Sequence, residues 1–233
     1  MKRLGVWSIC WLLIGLAGCT NQPETATLML FDDQEPGAEP YPTRMMLTRA
    51  YLRLDEGLEA GGFVLLDRAA GEVLSVSTRD RNVLVIEPTA LAMEPPAVFA
   101  HRAERSDESF PAVDGKDVRH YRLFTNDTAC GDVYAAADLL PDAVAALRQY
   151  HEVLAGEQSI TEARMPAELR SVCDQADLIF APGRFLAHGF PVRRIERNGR
   201  RRQLVRFEQV PVEPDWFAIP ADYKRYRLGD TRP

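Results

Sequence analysis

The chain is poor in the residues from which local catalytic and metal-binding motifs are built. It has four histidines and four cysteines among 233 residues. His101, His120, His151 and His188 form neither HxH nor HxxxH with one another, which argues against a local histidine metal site. No CxxC occurs, and Ser75, Ser77 and Ser171 lack the GxSxG elbow of a serine hydrolase. Gly183 and Gly189 do not make a phosphate-binding glycine loop. Asp32-Asp33 and Asp107-Glu108 lie in expected loops, where solvation explains them. No enzyme, metal or cofactor is expected. There is also no internal repeat, no low-complexity tract and no apolar run long enough to span a bilayer, which takes roughly 20 residues.

The longest apolar run is Leu4 to Leu16, after Met1-Lys2-Arg3 and before Ala17-Gly18-Cys19. A basic start, a short apolar stretch and small residues are the three parts of a secretory signal, so residues 1–18 are expected to be removed on export. Leu16-Ala17-Gly18-Cys19 resembles the lipobox of bacterial lipoproteins, in which the cysteine sulfur takes diacylglycerol and becomes the first mature residue. The rival reading is an ordinary signal with a chance cysteine at the cleavage point. Acyl chains such as palmitate on Cys19 would anchor the protein, since each buried methylene contributes roughly 0.8 kcal/mol. Thr20 stands where an aspartate would resemble an inner-membrane retention signal. The expected address is therefore the cell envelope, lipid-anchored at the periplasmic face of the outer membrane.

Cleavage takes two of the 28 basic residues and none of the 34 acidic ones, leaving a net charge of −8. That balance argues against nucleic acid as a partner, because a polyanion is repelled. Apolar content of 46% with 27% charged is ordinary for a globular domain with a real core. Beyond the lipobox only Cys130 and Cys173 remain. In an exported protein a disulfide is the expected pairing. Two free thiols or half of a metal site are the alternatives, and no histidine lies within four residues of either cysteine.

Residues 19–25 read as a lipidated tether, and residues 26–228 as a single domain. Leu28 to Phe31 opens a strand, and 32–42, acidic and rich in proline and glycine, reads as a loop. From 43 to 87, short β-branched runs separated by turns every eight to ten residues predict an antiparallel meander, with strands at 44–48 continuing to 51–54, then 63–66, 73–77 and 83–86. Residues 88–97 hold three prolines and connect. Asp114-Gly115 turns between Val98 to Glu104 and Val118 to Phe124, and Cys130 to Ala136 gives one more strand. The period then changes. Pro141, Val144, Leu147, Tyr150, His151 and Leu154 predict a helix stopping near Gly156. A second helix is expected from Pro166 to Asp177 with Leu169, Val172, Cys173 and Ala176 on one face, completing a helical insert at about 139–177. Asn198-Gly199 then turns a hairpin between Phe190 to Arg197 and Arg200 to Val210. Trp216 to Pro220 ends the ordered region, with Tyr223 following.

This order resembles the LolA/LolB-like superfamily of periplasmic lipoprotein carriers, and within it the uncharacterised DUF4412-type branch. The segments that carry the likeness are Phe63 to Arg68, Val83 to Ile86, Gly189-Phe190-Pro191 and Phe217 to Tyr223. The resemblance implies an α+β fold, a curved antiparallel sheet forming a half-open barrel with a helical pair packed on it. It also implies an apolar groove for a lipid or acyl chain, lined here by one face of the 63–87 meander and by Val144, Leu147 and Leu154. The cysteine pair and the long helical insert lie outside the carriers' pattern.

One further feature stands out in an acidic chain. Arg193, Arg194, Arg197, Arg200, Arg201, Arg202 and Arg206 put seven arginines into fourteen residues. On a hairpin, alternation would bring several to one exposed face. They are either a docking surface for an anionic or envelope-protein partner, making the chain an assembly subunit, or a solvated face paired with nearby acids.

Overall fold

A computed structural model describes residues 24–58 and 61–230; the signal, the lipobox and Cys19 lie outside them. Twelve strands form one sheet, and the turn chemistry explains most of it. β1 (Thr25–Gln34), β2 (Tyr41–Leu47), β3 (Tyr51–Asp55), β4 (Phe63–Asp67), β5 (Glu72–Ser77) and β6 (Asn82–Ile86) pair in sequence as an antiparallel meander. β7 (His101–Val113) and β8 (Lys116–Thr125) turn at Asp114 and Gly115, both at positive φ (48° and 70°), the conformation a two-residue hairpin requires. β9 (Thr128–Ala136) follows through Asn126-Asp127, also both at positive φ. β10 (Phe190–Glu196) joins β9, and β11 (Arg201–Pro211) closes the gap between β10 and β1.

The sheet is open. Its edges are β7 at one end and β12 (Lys224–Arg227) at the other, in the order β12-β6-β5-β4-β3-β2-β1-β11-β10-β9-β8-β7. The α+β class and antiparallel sheet stand as expected. β12 runs parallel to β6, which makes the sheet mixed, and the ordered chain continues well past Pro220.

Alternation buries two faces of this sheet. One main core gathers Met29, Phe31, Met45, Leu47, Leu52 and Leu66 with residues of β8 to β10 and of α1 (Pro141–Arg164). With 24 residues, α1 is about 36 Å long. It touches β5 and β6 as well as β10, strands that stand far apart in the sheet order, so the helix packs across the sheet and not along one hairpin. A second core lies on the opposite face of β4 to β6, where Phe63, Leu65, Leu74, Val76, Val83 and Val85 are covered by Phe217, Ile219 and Tyr223.

The helical insert departs from expectation in two ways. Gly156 does not stop α1, which runs eight residues further. A Cβ there would come within 2.4 Å of Thr89 Oγ1 and 2.5 Å of the Thr89 carbonyl oxygen, so the glycine admits the 88–92 connection against the helix. Ser159 fixes the same contact by accepting from the Ala92 N–H at 2.8 Å. Gly→Ala inside a helix ordinarily stabilises by roughly 1 kcal/mol. Gly156→Ala is expected to destabilise by about 1–3 kcal/mol, through overpacking against backbone. Urea unfolding of this variant reads the sign directly.

The second helix is not continuous. It breaks into a 3₁₀ turn (Ala167–Leu169), the short α2 (Val172–Gln175) and a π-helical turn (Ala176–Phe180). Cys173 and Ala176 are buried as read, but Leu169 is 67% exposed. The disulfide is formed. Cys173 of α2 is bonded to Cys130 of β9 with Cα atoms 5.2 Å apart, pinning this segment to the sheet.

Candidate functional site

Between α1 and the main face of the sheet lies a cavity of about 230 Å³. Its floor is apolar: Phe31, Met45, Leu54, Leu147, Phe185 and Phe190, from β1, β2, β3, α1, a 3₁₀ turn (Arg184–Leu186) and β10. Alternation brings these side chains to one face of neighbouring strands, and the helical period brings Leu147, Tyr150 and His151 down onto them. Charged side chains, Arg194, Glu196, Arg200 and Arg202, complete the wall.

These arginines differ in their commitments. Arg202 holds Asp33 with both oxygens, donating from Nε at 2.7 Å and Nη2 at 2.6 Å, and Thr43 donates to the same carboxylate at 3.0 Å. The Asp33 side chain is 1% exposed, so this fork compensates a buried charge. Arg200 pairs with Glu35 at 3.0 Å. Arg194 has no hydrogen bond among the described residues; its nearest carboxylate oxygen, on Glu196, is 3.7 Å away. Its guanidinium lies 4.2 Å over the Phe185 ring, and burial lowers its pKa from the usual arginine value.

Tyr150 and His151 also line the cavity without a hydrogen-bond partner among the described residues. Burial, then the charges of Arg194 and Arg202, push the His151 pKa down to about 3, so its ring is neutral at physiological pH. Burial raises the Tyr150 pKa, against the opposing charge of Arg202. Arg194, Tyr150 and His151 are half-buried, so these three side chains offer the cavity polar atoms that no other described side chain takes.

The sequence singled out some of this site. Leu147 lines the cavity, whereas Val144 and Leu154 pack into the core beside it, and the 63–87 meander contributes no lining. β10 and β11 lie mid-sheet and not as a free hairpin, and the seven arginines divide between exposed and half-buried positions. Arg194, Arg200 and Arg202 turn to the cavity, Arg193 lies 5.4 Å over the Tyr134 ring, and Arg197, Arg201 and Arg206 are exposed. Phe31, Met45, Leu54 and Phe185 went unread, since each looks like an ordinary core residue until the cavity shows between them.

Two other features of the fold carry polar groups. A wider cavity of about 700 Å³ is walled mainly by polar side chains, among them Thr25, Thr27, Thr48, Arg68 and Gln209, with Leu47 its one large apolar residue. Elsewhere, Ser106 Oγ lies 2.6 Å from His120 Nδ1, and His120 Nε2 lies 2.8 Å from Asp132 Oδ1. Those distances suit a nucleophile, base and acid. The ring, however, is 3% exposed, stacks on Tyr134 at 4.5 Å, and has Glu108 Oε2 3.4 Å from the nitrogen that faces the serine. Ser106 sits in the bulge of β7 and also accepts from the Glu108 N–H. The cluster ties that bulge to β8 and β9.

Among the described residues no group of three or more His, Cys, Asp or Glu could hold a metal ion, and no helix is long and apolar enough to cross a membrane. No family model matches the chain, and no curated protein matches it. Among solved structures it is similar to PNGF-II in two crystal forms, C2 and P21, at 9% and 10% identity and a TM-score of 0.43. The alignments cover 87% and 88% of this chain, which spans 31% of each of those chains.

Proposed function

We propose that the chain is an exported lipoprotein, anchored through Cys19 at the periplasmic face of the outer membrane, whose folded part is a non-enzymatic module binding a lipid or acyl chain in the 230 Å³ cavity. The apolar floor between α1 and the sheet carries this reading. A preformed apolar cavity with a few placed polar groups is the usual form of a small-ligand site. In this reading the sheet is the half-open barrel of the LolA/LolB-like carriers and α1 its cover. The broken second segment, held by the disulfide, supports α1, against which the π-helical turn packs.

An assembly subunit docking an envelope partner through 193–206 is the rival reading. It would rest on Arg197, Arg201 and Arg206, the three arginines left exposed on β11 and the turn before it.

Titration with a fluorescent single-chain fatty acid separates the two. Leu147→Trp, which extends a ring into the cavity, is expected to weaken probe binding at least about tenfold while the thermal midpoint moves little. Unchanged binding by this variant would remove the cavity from the proposal.

A further inference from the structure

We propose that the ligand is a single-chain amphiphile with one carboxylate head, and that the Arg194 guanidinium holds that head; this rests on the cavity being the binding site.

The first ground is size. An engineered cavity of about 150 Å³ takes one benzene ring. At about 230 Å³ this one holds a single chain of medium length, and not two or three acyl chains side by side.

The second is the contrast within the lining. Phe31, Met45, Leu147, Phe185 and Phe190 are all 5% exposed or less. The charged side chains are 19% exposed for Arg194, 32% for Glu196, 39% for Arg200 and 34% for Arg202, and Arg194 and Arg202 stand over the Phe185 and Phe31 rings. A tail packed on the buried rings leaves its head beside the more exposed arginines.

The third is the accounting of donors. A guanidinium carries five N–H donors in a planar fork that matches a carboxylate with two parallel bonds. Asp33 occupies the Arg202 fork, and Glu35 meets Arg200 in an ion pair at 3.0 Å. Arg194 is the least exposed of the three, makes no side-chain hydrogen bond among the described residues, and has its nearest carboxylate at 3.7 Å, out of hydrogen-bond reach. The count also limits the head to one negative charge. Glu196 stands 3.7 Å from Arg194 and would repel a second. The neutral His151 and Tyr150 beside it offer hydrogen bonds and no added charge.

Calorimetric titration of the mature protein with decanoate and with decanol tests the head and the tail separately. Decanoate is expected to bind about tenfold or more tighter than decanol, the usual worth of a charged hydrogen-bonded pair. Arg194→Gln is expected to close that gap to within about twofold by weakening decanoate alone. Arg194→Lys keeps the charge without the fork and should fall between the two; it also serves if the glutamine variant does not fold. Equal affinities in the parent protein, or a gap that survives Arg194→Gln, would overturn the carboxylate assignment and leave the binding reading standing. Binding of neither compound would overturn the binding reading itself.

Discussion

Asp55→Ala is expected to lower the unfolding free energy by about 3–5 kcal/mol, because it leaves the buried Arg53 without its carboxylate and frees the half-buried Arg44. The Asp55 side chain is 2% exposed. It accepts from Arg44, from Arg53 Nε at 2.6 Å and from the Gly57 N–H at 2.8 Å. Arg53 in turn donates to the Trp216 carbonyl and lies 3.9 Å over the Phe63 ring. Asp55 therefore fastens the C-terminal segment over the second core, which Tyr51 and Phe217 reinforce by stacking at 5.6 Å. Burial pushes the Asp55 pKa up, but the hydrogen bonds from Arg44 and Gly57 and the charge of Arg53 outweigh it, so the value lies below the ordinary one. The folded state thus binds this proton less readily than the unfolded chain. The contribution is whole above the ordinary aspartate pKa near 3.8 and fades as pH falls through the lower folded value. Urea midpoints at pH 7 and pH 3 should show a smaller gap between parent and Asp55→Asn at the acid end. A gap independent of pH would mean the carboxylate charge is not what holds the segment.

Breaking the disulfide is expected to cost about as much by another route. The bridge closes a loop of 43 residues, and on the chain-entropy model its loss costs about 4 kcal/mol. For a domain of this size that corresponds to a fall in thermal midpoint of about 8–16 °C. The loop holds α1 entire, so the unfolded chain gains the freedom of the whole crossing helix. In the folded state α2 is four residues long, has no buried leucine or isoleucine of its own and reaches β9 through Cys173. Melting Cys130→Ser/Cys173→Ser beside the parent, with and without reductant, checks the figure. Reductant should move the parent to the variant's midpoint and leave the variant where it is. Equal midpoints throughout would show that the helical segment docks without the bridge.

The sequence was most legible where one local rule decides. The meander from β2 to β6 follows from β-branched runs and turn residues, and the two hairpins from Asp114-Gly115 and Asn198-Gly199. It was less legible where a distant partner decides. Gly156 looks like a helix stop and is a contact with Thr89 from 67 positions earlier. Lys224 to Arg227 carry no strand periodicity of their own; β12 lies beside β6 where Phe217, Ile219 and Tyr223 pack on the second core, and Arg227 meets Glu87 with both oxygens. The arginine cluster was visible as composition only. That Arg202 would find Asp33 of β1, 169 positions away, depends on β11 sliding between β10 and β1, and no local pattern states that. The site was half legible for the same reason. The helical period placed Leu147, Tyr150 and His151 on one face, but nothing in it says that a space remains in front of them.

The most direct test is the native mass of residues 20–233 purified from periplasm without detergent, with extraction and analysis of whatever is bound. A single-chain acid at near-stoichiometric amount, lost from Leu147→Trp, is the predicted result. A ligand-free mass from a protein that also refuses added fatty acid would contradict the binding function and turn attention to Arg197, Arg201 and Arg206.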